Sequence, residues 1–70
     1  MKYEITVYSP LGEFVSKTQE WTSSQAEDMR TIFKEMHRVE NFTLELKSGT
    51  VYFPKDVIRN SAILIMEILI

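Results

Sequence analysis

The sequence contains no cysteine and a single histidine, and these absences remove two common ways of stabilising a small domain. Disulfide bonds cannot form, and a structural zinc site, which takes cysteine and histidine ligands, is not expected. The absence of cysteine also fits the reducing cytoplasm, where we expect the protein to be located. A domain of 70 residues buries only part of its surface and commonly relies on disulfides, metals or oligomers. Self-association is therefore the expected route to stability.

Few residues in the sequence point to catalysis. With two glycines there is no phosphate-binding loop, and the acidic residues are scattered without a metal-binding or acid–base spacing. His37 falls near the predicted helix C-terminus, where a cation is favoured, and no partner for a general base is identifiable from spacing. We therefore expect a protein that is not an enzyme and that binds no cofactor or metal.

Membrane and signal segments are not expected either. The most apolar stretch is shorter than the roughly 20 residues of a membrane-spanning helix, and the first residues lack the apolar core of a signal peptide. The net charge of −2 gives no overall attraction to nucleic acid or to anionic membranes. With 44% hydrophobic and 26% charged residues, the composition predicts one globular domain over residues 1–70.

Alternating apolar residues predict a hairpin at the start of the chain. A strand over residues 2–8 is followed by the turn sequence Ser9-Pro10-Leu11-Gly12 and by a second strand at about 13–19. Paired residues match in character, which supports the hairpin. The predicted pairs are Ser9 with Gly12, Val7 with Phe14, Thr6 with Val15 and Glu4 with Lys17.

A capping box predicts the start of a helix. Thr22 would be the N-cap with Gln25 at N3, and Trp21 and Ala26 take the positions of a hydrophobic staple; Ser24 with Glu27 is an alternative register. An apolar stripe predicts that the helix continues to about residue 37–39. The stripe comprises Ala26, Met29, Ile32, Phe33, Met36 and Val39.

The second half of the sequence predicts another hairpin and a final strand. Ser48-Gly49 is taken as a two-residue turn, which places Leu46 opposite Val51 and Leu44 opposite Phe53. A helical turn or loop follows Pro54, and a strand is expected over about 61–69. The fold class is therefore α+β, with a mostly antiparallel sheet of four to five strands, one amphipathic helix on one face and the order β-β-α-β-β-β.

The last eight residues carry seven apolar side chains and one acid, Glu67. Read as a strand, this tail is apolar on both faces, although one helix covers only part of one sheet face. A homodimer would cover the rest, since each buried side chain of this kind contributes about 1.5–3 kcal/mol. Alternatively, the tail is an internal strand covered by its own chain. Four residues of the tail are predicted for self-association: Ile63, Ile65, Glu67 and Leu69.

Two further sets of residues are candidates for partner contacts. Arg30, Lys34 and Arg38 recur every four residues, and like charges at this spacing mildly destabilise a helix. The row is either a solvated face or a site for phosphate or an acidic protein. Tyr8 and Tyr52 occupy outward positions on separate hairpins, and tyrosine is favoured at interfaces.

No motif diagnostic of a known family is present, and the small size is typical of accessory proteins of bacteria and phages. The leading hypothesis is a non-catalytic protein-interaction module or inhibitor that acts as a homodimer, with an unidentified protein partner. The alternative is nucleic-acid binding through the Arg30, Lys34 and Arg38 row.

Overall fold

The computed structural model describes residues 1–35 and 38–69 and has the predicted α+β architecture. The predicted order is recovered with one short strand added, and the helical turn or loop expected after Pro54 is a short helix. The elements are β1 (Lys2–Ser9), β2 (Gly12–Val15), β3 (Gln19–Glu20), α1 (Ser23–Lys34), β4 (Asn41–Leu46), β5 (Gly49–Pro54), α2 (Lys55–Ile58) and β6 (Ala62–Ile68).

Strand β1 is the centre of the main sheet. β2 and β3 pair with successive parts of one edge of β1, and β6 pairs with the other edge, all antiparallel. The β1–β2 hairpin has the predicted register, with Val7 opposite Phe14 and Ser9 opposite Gly12. Gly12 has a φ of +136°, a backbone conformation that favours glycine. The first and last strands of the fold are therefore neighbours.

The predicted second strand is interrupted at Ser16, which corrects the continuous strand at about 13–19. The Ser16 N–H donates to the Ile5 carbonyl at 2.8 Å, and the Ser16 Oγ accepts the Ile5 N–H at 2.9 Å. The side chain thus replaces a backbone carbonyl, and the next residue turns away from β1. The Lys17 N–H donates instead to the Glu45 carbonyl of β4 at 2.9 Å, so the predicted pair of Glu4 with Lys17 does not form.

The second hairpin, β4–β5, forms a separate two-stranded sheet. The prediction of its turn was wrong by one residue: Leu46 faces Gly49 and Leu44 faces Val51. Gly49 has a φ of +152° and begins the return strand, because this conformation suits glycine better than the side chains around it. The shift changes each pairing by two residues, so the same apolar face remains inward.

Helix α1 begins as predicted and ends earlier. The Gln25 N–H donates to Thr22 Oγ1 at 3.2 Å, and the Thr22 N–H donates to Gln25 Oε1 at 2.9 Å, which completes the capping box. The helix ends at Lys34, so Arg38 and Val39 are not part of it. The predicted stripe residue Met36 and the sequence candidate His37 lie outside the described residues.

The core lies between the main sheet and the β4–β5 hairpin. Ile5 and Val7 of β1 pack with residues of β4, β5 and α2: Leu44, Phe53 and Ile58. Phe14 meets Phe53 edge to face at 5.4 Å between ring centroids, while α1 contributes the buried Ala26 and the half-buried Met29 and Phe33. Trp21, predicted as a staple, stacks on Tyr3 at 5.5 Å. Ile58 of α2 is fully buried.

Candidate self-association surface

The two faces of the main sheet differ in what covers them. Residues paired across neighbouring strands point to the same face. Val7, Ile63 and Phe14 share the inner face, which points to the core, because Val7 pairs with both of the others. Thr6, Leu64 and Val15 share the opposite face, which we call the outer face.

The outer face carries exposed apolar side chains next to the charged residues Lys2, Glu4 and Glu13. Four of its side chains are about half exposed: Val15 43%, Tyr8 46%, Leu64 41% and Met66 47%. Thr6 lies between Val15 and Leu64 and is only 4% exposed, because its neighbours on both strands cover it. An apolar patch of this kind on a small domain is typical of an interaction surface.

Strand β6 also has an open edge. It pairs with β1 on one side, and within the described residues no strand pairs with its other side. The backbone N–H and C=O groups on that side are available to another strand. The strand contains no proline, and Glu67 is its one charged residue. Natural edge strands commonly carry proline, lysine or bulges that prevent pairing, and β6 lacks proline and lysine.

An open groove of about 300 Å³ lies between α1 and β6 on the inner side of the sheet. Phe33, Ile63 and Ile65 give it an apolar lining, and Arg30 and Lys34 supply two cations. Arg30 Nη1 donates to Glu27 Oε1 at 2.6 Å. The Lys34 side chain makes no hydrogen bond or ion pair with any other residue in the part of the chain that the structure describes.

The predicted self-association residues fall in two different environments. Ile63, Ile65 and Glu67 lie on the inner face, opposite Val7, Ile5 and Tyr3 respectively. The two isoleucines are half-buried and Glu67 is exposed. Leu69 follows β6 and is 86% exposed. The sequence did not decide whether this segment is a central strand or an interface strand. In the structure it is an edge strand of the main sheet.

The predicted partner residues are not brought together. Tyr8 and Tyr52 are both exposed but belong to different sheets. Arg30 and Lys34 are neighbours on α1, whereas Arg38 follows the helix and pairs with Glu35 at 3.5 Å. The row of three cations therefore does not continue along one helix.

Leu64 and Met66 contribute much of the outer face, although the predicted self-association set contains neither. The sequence placed them on the other face of the tail from Ile63, but it could not relate that face to the faces of β1. The pairing of β6 with β1 supplies this relation, since Thr6 opposes Leu64 and Glu4 opposes Met66. The apolar tail was the signal in the sequence for this surface. Its alternation did not show which face points to the core, because both faces are apolar.

Among residues 1–35 and 38–69 there is no group of three or more histidine, cysteine, aspartate or glutamate side chains that could hold a metal ion. Every buried side-chain nitrogen or oxygen in these ranges has a hydrogen-bond partner. The pKa of Glu20 is lowered by a hydrogen bond from the N-terminal ammonium group at 2.8 Å, which is a surface ion pair.

No helix in the described part of the chain is long and apolar enough to cross a membrane. Comparisons with protein-family models, with curated proteins and with solved structures give no significant match.

Proposed function

We propose that this chain is a non-catalytic protein-interaction module that acts as a homodimer. The observation that carries the proposal is the exposure of β6, the most apolar strand, along one edge and on the outer face. Both features are used repeatedly in protein association, as added strands and as apolar contact patches. Self-association through the strand edge or through the outer face would use one of these features without requiring a segment of another protein.

The energetics favour coupled folding and association. Full burial of one large apolar side chain contributes about 1.5–3 kcal/mol, and the four outer-face side chains are each only about half buried in the single chain. Domains of this size have a total stability of about 5 kcal/mol. Covering several of these side chains would therefore add a large fraction of the stability, and the unfolding midpoint would rise with protein concentration.

Nucleic-acid binding, the alternative from the sequence, has less support. Arg30 is bound to Glu27 and Arg38 to Glu35, so each cation is paired with an acid three residues away. Arg38 also lies beyond the end of α1. These pairs reduce the positive potential that a phosphate backbone would require. The homodimer is therefore the favoured proposal.

The test is the molar mass of the purified chain, measured by sedimentation equilibrium over a range of concentrations. We expect a dimer, and we expect Leu64→Lys to shift the equilibrium towards the monomer, because Leu64 lies on β6 and on the outer face and a charge there disfavours association through either. Ile32→Lys is a matched control, since Ile32 is 46% exposed but lies on α1 and does not line the groove beside β6. A wild-type chain that is monomeric throughout the concentration range would contradict the proposal.

A further inference from the structure

The open edge of β6 is well suited to pairing with a second copy of itself. The strand has seven residues, Ala62–Ile68, with Ile65 at its midpoint. An antiparallel pair related by a two-fold axis overlaps over the whole strand when Ile65 of one copy faces Ile65 of the other. Any other register leaves part of the strand unpaired. The full-length register therefore forms the largest number of backbone hydrogen bonds between the two chains.

This register gives Glu67 a partner. Ile63 of one copy faces the partner's Glu67, because positions equally distant from Ile65 oppose each other. Directly opposed residues have Cβ atoms about 4.5–5.5 Å apart. Ile63 lines the groove together with Arg30 and Lys34. The carboxylate of the partner's Glu67 would therefore lie beside these two cations. Within the described residues, the Glu67 side chain has no hydrogen bond or ion pair in the single chain.

We propose that two copies join edge to edge through β6, in the register centred on Ile65, with Glu67 of each copy bound by Lys34 and Arg30 of the other. The result is a continuous sheet of two main sheets side by side. This inference rests on the proposed homodimer and adds its geometry. The two-fold axis is perpendicular to the sheet, so both α1 helices lie on the same side of the combined sheet.

Charge complementarity supports this occupant. Edge pairing brings the cations of both α1 helices towards the axis, where they would repel each other without an acid between them. The two Glu67 carboxylates lie on the same inner face and provide that acid, one for each groove. Arg30 already shares its charge with Glu27, so Lys34 is the cation with the most capacity to bind Glu67.

A charge exchange tests the ion pair. Glu67→Lys and Lys34→Glu should each raise the dimer dissociation constant by roughly tenfold, because each change removes two attractions and creates two repulsions in the symmetric dimer. The double variant Glu67→Lys/Lys34→Glu should return towards the wild-type value. Glu13→Lys makes the same charge change at an exposed position on β2, on the opposite edge of the main sheet, and should have little effect.

A cysteine cross-link tests the register independently of charge. The sequence has no cysteine, so Ile65→Cys places the only two thiols of the dimer opposite each other at the axis. Directly opposed strand residues lie within the Cα separation of a disulfide, and mild oxidation should give a covalent dimer. Leu11→Cys, in the exposed turn between β1 and β2, should cross-link much less.

These experiments distinguish the proposed edge-to-edge geometry from dimerisation in general. A wild-type dimer that is insensitive to the charge exchange, does not cross-link through Ile65→Cys and is dissociated by Val15→Lys would overturn edge pairing and favour association through the outer face. Val15 lies on β2, away from β6, and edge pairing predicts that its change leaves the dimer intact. A monomeric wild-type chain would overturn the proposed function as well.

Discussion

Ser16 and Ile5 exchange two hydrogen bonds across the main sheet, one through the backbone of Ser16 and one through its side chain. The Ser16 Oγ accepts the Ile5 N–H at 2.9 Å and donates to the Lys17 carbonyl at 2.8 Å. Ser16 is 2% exposed, so water cannot replace this oxygen. The hydroxyl therefore holds the point where the chain leaves β1 and turns towards β4.

Ser16→Ala should lower the free energy of unfolding by about 1–3 kcal/mol, because the buried Ile5 N–H loses its acceptor. Urea denaturation at a fixed protein concentration measures the change. Thr18→Ala, two residues further along and exposed, is the control and should be nearly neutral. An equal loss in both variants would contradict the role assigned to the Ser16 hydroxyl.

Thr22→Ala should lower the free energy of unfolding by about 0.5–2 kcal/mol, because the first turn of α1 loses the acceptor for the Gln25 N–H. Ser24→Ala distinguishes the two capping registers suggested by the sequence. Ser24 lies inside α1, so its replacement should cost little or nothing. Thermal unfolding followed by circular dichroism compares the two variants, and a larger loss in Ser24→Ala would refute the Thr22 cap.

Glu20 should titrate below its ordinary pKa of 4.5, because the N-terminal ammonium group donates a hydrogen bond to it and stabilises the carboxylate. A carboxyl group whose pKa is lowered on folding stabilises the fold above its unfolded pKa. This contribution is lost as the pH falls through the folded pKa. An NMR titration of the glutamate side chains measures the shift, and acetylation of the N-terminus should remove most of it, because the nearby Lys2 makes a smaller contribution. A Glu20 pKa unchanged by acetylation would show that another group causes the shift.

The chain should not bind nucleic acid at physiological ionic strength, because two of the three candidate cations are paired with neighbouring glutamates. Fluorescence anisotropy with labelled single-stranded and double-stranded oligonucleotides measures binding. Salt-dependent binding that disappears in the variant Arg30→Glu/Lys34→Glu/Arg38→Glu would instead support the alternative function.

Local signals in the sequence predicted the elements that depend on neighbouring residues. The first hairpin follows from its proline and glycine turn, and the start of α1 follows from the capping box of Thr22 and Gln25. The end of α1 was predicted too late because Met36 and Val39 continue the apolar stripe, although the helix ends at Lys34. A hydrophobic period shows which residues face inward and does not fix where the backbone hydrogen bonds stop.

The candidate surface depends on contacts between distant parts of the chain, and these carried little local signal. The interruption at Ser16 involves one hydrogen bond between the Ser16 side chain and Ile5. A single interaction of this kind leaves no periodic pattern in the sequence. The separation of Leu64 from Ile63 onto opposite faces followed from alternation. Which of the two points to the core depends on the pairing of β6 with β1, and a strand with two apolar faces does not specify this.

Because β6 completes the sheet on β1, the fold joins the earliest and the latest segments of the described chain. During synthesis, β1 lacks its longest partner strand, β6, until Ile68 has left the ribosome. Pairing between strands that are distant in the sequence slows folding. In that interval the apolar residues of β1 are open to other nascent chains or to chaperones. The main sheet is therefore completed only after all the residues between β1 and β6 have been synthesised.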